Sequence, residues 1–406
     1  MLFRSKMELG LDRVSIVAER LQLDDPNFCT ISVAGTNGKG STVAMLEAIL
    51  HAAGYKVGAY TSPHMHRYNE RIRIARKAVS DAQLCTAFEH IEHTRCDTPL
   101  TYFEFGTLAA LQLFRQEQID IAILEVGLGD RLDAVNVLDA DAAIVTSVGT
   151  DHQHWLGESR EQIGREKAGI FRRGRPAICA DPEPPVSIAV VAEEVGARFL
   201  QIGRDFSFQR DDSSWCWHTD RQVRAGLPYP ALRGDHQLLN AAAALMALDT
   251  LSARVPVNQA DVRSGLLAAV IPGRFQTLSG LPVRVLDVAH NVEAIIQLCA
   301  TLKAQPVLGK TAAVLGMLRD KPIDRVVAEM APIIDHWYLA TLSVERGATA
   351  EKLAEALQLA GIHAPASLHA DPVSAYRAAC TNARPHDRVV VFGSFYTVSD
   401  ILSAVT

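Results

Sequence analysis

Residues Ala34-Gly35-Thr36-Asn37-Gly38-Lys39-Gly40-Ser41-Thr42 gather glycines, a lysine and hydroxyl side chains between a short β-rich run and a helix-forming stretch. Glycines let backbone N–H groups turn inward around phosphate oxygens, and a helix N-terminus adds positive potential. Lys39 would then reach the β- and γ-phosphates of a nucleotide. The Walker A pattern is not met: Val33 stands where its first glycine belongs, and Gly40 intervenes between Lys39 and Ser41. A plain glycine-rich strand-to-helix turn is the alternative. Glu125 closes the apolar run at 119–126, where an ionised carboxylate needs a cation or hydrogen-bond donors. Mg2+ on nucleotide phosphates takes one or two carboxylates plus hydroxyl or water oxygens. His64/His66 and His152/His154 form His-x-His pairs, but no third ligand at supporting spacing argues for zinc. Asp287-x-x-His290-Asn291 falls where a strand gives way to a helix, a usual place for ligand groups in open α/β sheets. Lys167, in Arg165-Glu166-Lys167-Ala168-Gly169, reads by default as a surface lysine at a helix end.

These groups need a scaffold, and the apolar pattern supplies one. The runs 28–34, 119–126 and 142–148 are apolar on both faces, as in a buried parallel sheet, and alternate with helical stretches at 42–54, 101–115 and 160–171. Between 206 and 230 two tryptophans, alternating polar residues and prolines predict a small antiparallel appendage, followed by an alanine-rich helix at 238–251. Prolines and glycines then punctuate the chain, and a second series of strands is expected at 283–288, 312–317, 337–341 and 388–392. The fold class is α/β: a P-loop-type doubly wound N-terminal domain over 1–280 with the β appendage, and a smaller Rossmann-like C-terminal domain over 281–406.

Composition narrows the function classes. The 406 residues are 48% hydrophobic and 21% charged, and 40 Lys+Arg against 46 Asp+Glu give a net charge of −6. That profile excludes a disordered chain and argues against a dedicated nucleic-acid binder. Seven cysteines without a Cys-x-x-Cys pair read as thiols in a reducing compartment. Neither a secretory signal nor a membrane-length apolar segment is visible, so a cytoplasmic monomer without membrane or nucleic-acid partners is expected.

The departure from Walker A is itself informative. Gly35-Thr36-Asn37-Gly38-Lys39 is similar to the phosphate loop of the Mur ligase family, and its extension through Thr42 resembles the folate branch, the folylpolyglutamate synthase/dihydrofolate synthase family. The resemblance continues through Tyr60-Thr61-Ser62-Pro63-His64, Leu100-Thr101-Tyr102-Phe103-Glu104, Leu124-Glu125-Val126-Gly127-Leu128-Gly129 with Arg131-Leu132-Asp133-Ala134, Asp151-His152, and Gly164-Arg165-Glu166-Lys167. In the second half it includes Pro272-Gly273-Arg274-Phe275-Gln276, Asp287-Val288-Ala289-His290-Asn291 and Gly393-Ser394-Phe395.

The resemblance implies ligation of L-glutamate to dihydropteroate or to the glutamate tail of reduced folates, with ATP consumed through an acyl phosphate. It makes Gly35, Thr36, Asn37, Gly38, Lys39, Gly40, Ser41, Asn240, Arg274 and Asp287 the ATP contacts, with Lys39, Lys167 and His290 in catalytic positions. Ser62 and Glu125 would hold one Mg2+, His152 a second, and Lys167 would carry a carbamate beside it. Thr101, Tyr102, Phe103, Glu104, Arg131, Leu132, Asp133 and Ala134 would contact the pterin-containing substrate. A peptidoglycan-type Mur ligase is disfavoured because no sugar-nucleotide domain precedes the loop, and a GTPase because no Asn-Lys-x-Asp motif appears. A catalytically silent nucleotide-binding relative is the alternative. Three departures stand out: Asp130 replaces the family's second glycine, Val292 its usual proline, and the aromatic segment that normally precedes the Met7–Val14 stretch is not found. The last of these predicts a weaker pterin slot.

Overall fold

A computed structural model describes residues 8–150 and 157–405. The chain divides into two compact units, Met1–Ala231 with His236–Val270, and Leu232–Asp235 with Ile271–Thr406. The second unit thus starts ahead of the expected boundary at 280. The reason is a strand the sequence did not signal: β12 (Gln276–Leu278) pairs antiparallel with β13 (Val283–Leu286) and belongs to the second sheet.

The first unit is built on an eight-stranded sheet in the order β4-β3-β2-β5-β1-β6-β7-β8. Its strands are β1 (Cys29–Ala34), β2 (Val57–Tyr60), β3 (Ile72–Ile74), β4 (Lys77–Ala78), β5 (Ile121–Glu125), β6 (Ala142–Val145), β7 (Pro176–Cys179) and β8 (Arg198–Gln201). The stretch from β2 through β8 is parallel, while β3 and β4 fold back antiparallel at one edge. Every residue of β1 and β5 is buried, which explains their unbroken apolar texture. Register aligns Val33 with Glu125, Tyr60 with Leu124 and Ala34 with Val145, so the carboxyl ends of β2, β5, β1 and β6 emerge side by side. The appendage is three antiparallel strands, β9 (Phe206–Arg210), β10 (Trp215–Thr219) and β11 (Val223–Leu227). Trp217 anchors it by donating its indole N–H to the Ala242 carbonyl at 3.2 Å.

The second unit is a six-stranded sheet in the order β12-β13-β17-β14-β15-β16. Here β14 is Thr311–Leu315, β15 His336–Ala340, β16 Ala366–His369 and β17 Arg388–Phe392. All pairs but the first are parallel, and Trp337 and Phe392 fill its core. No helix among the described residues is long and apolar enough to cross a membrane.

The helix that leaves the phosphate loop, Lys39–Ala52, is buried from Ser41 through Leu50. Its neighbour Gln259–Ala268 presses against it at Gly265, where a Cβ would lie 2.4 Å from the Ile49 Cα. Backbone meets backbone there, so neither side can yield. Gly265→Ala is therefore expected to lower stability by ~1–3 kcal/mol through overpacking, read as a reduced urea midpoint. An unchanged midpoint would show that the two helices can separate freely.

Candidate active site

The parallel strand ends converge on the glycine-rich loop. Gly38 precedes the helix Lys39–Ala52 at φ +90°, and a Cβ there would sit 2.4 Å from Oδ1 of Asn240. Gly35 leaves β1 at φ +146°, with Thr146 occupying the space of its absent side chain. Residues just beyond β6 pin the loop from below. The Thr146 hydroxyl donates to the Asn37 carbonyl at 2.6 Å, and the Asn37 N–H donates to Ser147 Oγ at 3.1 Å. Thr36 Oγ1 accepts the Gly149 N–H at 2.9 Å and donates to the Gly149 carbonyl at 3.2 Å. Lys39 Nζ donates to the carbonyls of Gly35 and Thr36 at 2.8 and 3.3 Å, holding the ammonium over the loop. The N-cap residue is Gly38, which brings no capping side chain of its own, and the N–H groups of a helix N-terminus suit an anion. Thr146, Ser147 and Gly149 were not singled out from the sequence, although their place after a buried strand could have suggested them.

Glu125 ends β5 in a buried position, and its Oε2 accepts the Ser62 N–H at 3.3 Å. Arg73 sets the approach of this segment: it grips Glu47 at 2.8 Å and donates to Thr61 Oγ1 at 3.0 Å. A buried carboxylate beside a serine offers the hard oxygen donors that Mg2+ selects, so the residues fit such an ion. His152 lies outside the described residues. Of the histidine pairs, His64 uses Nδ1 to accept from Arg71 Nε at 2.9 Å, and burial with the Arg71 charge lowers its pKa.

The segment assigned to the pterin substrate is divided in its behaviour. Thr101 and Glu104 form a capping box at the start of the helix Tyr102–Gln116, and Glu104 also meets Arg13 at 3.1 Å. Their side chains therefore have structural partners. Tyr102 is exposed, beneath the Arg71 guanidinium at 5.5 Å, and the Phe103 ring packs 5.7 Å from that of Tyr60. Asp133 is buried and ties the turn after β5 by accepting N–H groups from Gly127, Leu128 and Val135. Ala134 is buried, Leu132 half-buried, and Arg131 largely exposed with its guanidinium 3.4 Å from Glu166. Lys167 departs from the default reading of a surface lysine. It is buried at the end of the helix Arg160–Ala168 and donates to both Asp130 oxygens, at 3.1 and 3.3 Å.

Arg274, Asp287 and His290 belong to the second unit. Asp287 accepts the N–H groups of Phe275 and Ala289, each at 2.8 Å, while burial raises its pKa against the pull of Arg274. His290 Nδ1 lies 2.8 Å from the Val288 carbonyl, an acceptor only, so Nδ1 carries the hydrogen. Phe395 joins this group, its ring 5.5 Å beneath the Arg274 guanidinium and 6.2 Å from the His290 ring. Asn291 caps the helix Val292–Ala304.

Residues 33–248 match the Mur ligase middle domain, and residues 273–395 the Mur ligase glutamate ligase domain. The dihydrofolate synthase/folylpolyglutamate synthase of Escherichia coli K12 is 46% identical over 400 residues, covering 98% of this chain and 92% of that protein. The chain belongs to the dihydrofolate synthase/folylpolyglutamate synthase family. A structure of E. coli FolC with DHPP and ADP superposes at TM-score 0.94 and 45% identity, covering 99% of this chain and 95% of that one. The bifunctional Yersinia pestis protein with AMPPNP and Mn gives 0.93 at 47% identity, covering 100% and 95%. Family membership makes the chain an ATP-dependent ligase and sets aside the reading of a silent nucleotide-binding relative.

Burial pushes the Asp133 carboxyl up to about 7, against its N–H donors and with help from the Asp130 charge. A carboxyl raised above its unfolded value near 3.8 contributes stability below that value and loses it as pH climbs through about 7. Asp133→Asn, which cannot titrate there, is expected to remove this component. The stability difference between wild type and variant then shifts against wild type from about pH 4.5 to about pH 7.5, read from urea midpoints. A difference that does not change with pH would place Asp133 in the ordinary carboxylate range.

Proposed function

We propose that this enzyme joins L-glutamate to dihydropteroate, forming dihydrofolate, and to the glutamate tail of reduced folates at the expense of ATP. The observation that carries the reading is the convergence of the loop Gly35–Lys39, Ser62 and Glu125 at adjacent parallel strand ends, in a chain of this family. Relatives support the substrates: one structure holds DHPP and ADP, and another holds Mn, AMPPNP and L-glutamate. The same reading places the reaction in the cytoplasm, with the seven cysteines as thiols.

The substrate carboxylate attacks the γ-phosphorus, ADP leaves, and the acyl phosphate forms. The glutamate amine then attacks the acyl carbon, and phosphate departs from the tetrahedral intermediate. The loop N–H groups cradle the phosphates, and Lys39, already held over that loop, balances the charge that develops on the transferred group. Glu125 and Ser62 would hold a divalent ion whose charge neutralises phosphate oxygens. A second ion near His152 belongs to the same reading. A carbamate on Lys167, a buried lysine that here meets Asp130 at 3.1 Å, belongs to it as well. Tyr102, Phe103 and the turn through Arg131–Ala134 would receive the pterin end, and Arg274, Asp287 and His290 the nucleotide.

Lys39→Ala is expected to cost on the order of 10²–10³ in kcat, as loss of one donor to a developing oxyanion does, with the melting temperature little changed. A rate within about tenfold of wild type would remove Lys39 from the chemistry. Glu125→Gln keeps the shape and removes the charge, so its activity is expected to require much higher Mg2+. An unaltered Mg2+ dependence would show that Glu125 holds no ion. Both are read with dihydropteroate and tetrahydrofolate offered separately, and glutamate-dependent phosphate release with neither acceptor would overturn the function itself.

A further inference from the structure

The support beneath the phosphate loop is itself held by side chains from elsewhere. β6 ends at Val145, whose carbonyl accepts the Ala180 N–H at 2.9 Å and closes the ladder toward β7. Residues 146–149 run on past that ladder, so their backbone groups need other partners. On the loop side, the Ser147 carbonyl accepts the Thr36 N–H at 2.8 Å, and Ser147 Oγ donates to the Asn37 carbonyl at 3.1 Å. Gly149 exchanges two hydrogen bonds with Thr36 Oγ1. Val148, between them, gives both its backbone groups to side chains outside the loop. Its N–H donates to Asp181 Oδ2 at 2.8 Å, and its carbonyl accepts from Arg160 Nε at 2.9 Å.

The two side chains form a clasp. Arg160 Nη2 donates to the Glu183 carbonyl at 2.9 Å and to Asp181 Oδ2 at 3.3 Å, while Asp181 Oδ1 accepts the Glu183 N–H at 3.0 Å. The Asp181 side chain is 9% exposed and that of Arg160 45%, so the aspartate is enclosed and the arginine reaches it from the surface. Arg160 opens the helix Arg160–Ala168, whose start is fixed by the capping box of Ser159 and Gln162. Only a planar fork meets Val148, Glu183 and Asp181 together, and lysine has none.

We propose that Arg160 and Asp181 are positioning residues for nucleotide binding: by gripping Val148 they set the segment 146–149, on which the loop 35–39 rests. Val148 is joined by peptide bonds to Ser147 and Gly149, so a shift of Val148 carries both, and with them Thr36 and Asn37. The effect falls on the phosphates and not on the other two substrates. The link from loop to nucleotide rests on the ligase reading above.

Steady-state kinetics and melting curves on the full chain test the proposal. Asp181→Asn puts an amide N–H2 where one N–H donor needs an acceptor. Arg160→Lys keeps the charge and loses the fork, and it serves if the aspartate variant fails to fold. Each is expected to raise the KM for ATP about three- to tenfold, the scale of one net hydrogen bond, with the KM values for glutamate and dihydropteroate within about twofold of wild type. The rise in melting temperature that ADP with Mg2+ gives the wild type is expected to shrink in both, whereas a purely structural loss lowers the free and bound midpoints equally. Arg165→Lys, on the same helix in an exposed pair with Glu194 at 2.8 Å, is expected to change none of these. The proposal is overturned if the folded variants keep the wild-type KM for ATP and the full ADP shift, if all three KM values rise together, or if Arg165→Lys matches Arg160→Lys. A wild type that binds no nucleotide overturns the ligase reading instead.

Discussion

At Gly38 the backbone passes so close to Asn240 that no side chain can stand between them, and the first unit is organised around that approach. The parallel strands must be buried on both faces for their carboxyl ends to meet there. The helix Lys39–Ala52 must be buried for its N-terminus to stay fixed, which Gly265 permits by letting a second helix lie against it. Thr146, Ser147 and Thr36 then satisfy polar groups of the loop itself, which fixes it at the N-terminus of that helix, an end whose potential favours an anion. Each layer of packing restricts the next, and the freedom that remains belongs to the ligand.

Carboxylates in both units differ by what their oxygens touch. Asp133 and Asp287 use both oxygens on backbone N–H groups, which makes them staples of the turns they occupy. Glu125 receives a backbone N–H from Ser62 on Oε2 at the longer distance of 3.3 Å, at a strand end beside the phosphate loop. Asp130 is a third case, compensated by a lysine rather than by backbone. The same residue type thus serves architecture or chemistry according to its donors, a distinction that sequence spacing does not carry.

Much of the scaffold was legible because its signals are local. Buried strands such as β1, β5 and β17 read as continuous apolar runs, and the glycine-rich loop lay between strand and helix as its composition implied. Short edge elements were not legible. β4 has two exposed residues and β12 three that are not fully buried, so pairing rather than hydrophobicity defines them, and the unit boundary moved with β12. In the site, Gly38 and Glu125 were marked by type and position, whereas the Asp130–Lys167 pair joins residues 37 apart whose partnership only the fold creates. Thr101 and Glu104 show the converse. Their spacing is a capping signature, and the structure spends it on the helix.

Phe395 carries the same lesson into the second unit. Its ring lies beneath the Arg274 guanidinium and beside the His290 imidazole, so one aromatic side chain orients both groups. An aliphatic residue could fill the volume but has no negative face to hold a planar cation. His290 is fixed further by its Nδ1–H bond to the Val288 carbonyl. Asp287 secures the loop between them by holding the N–H groups of Phe275 and Ala289. Arg274 and His290 are therefore placed by neighbours rather than by their own backbones, and the aspartate works as the brace that lets the aromatic ring set their direction.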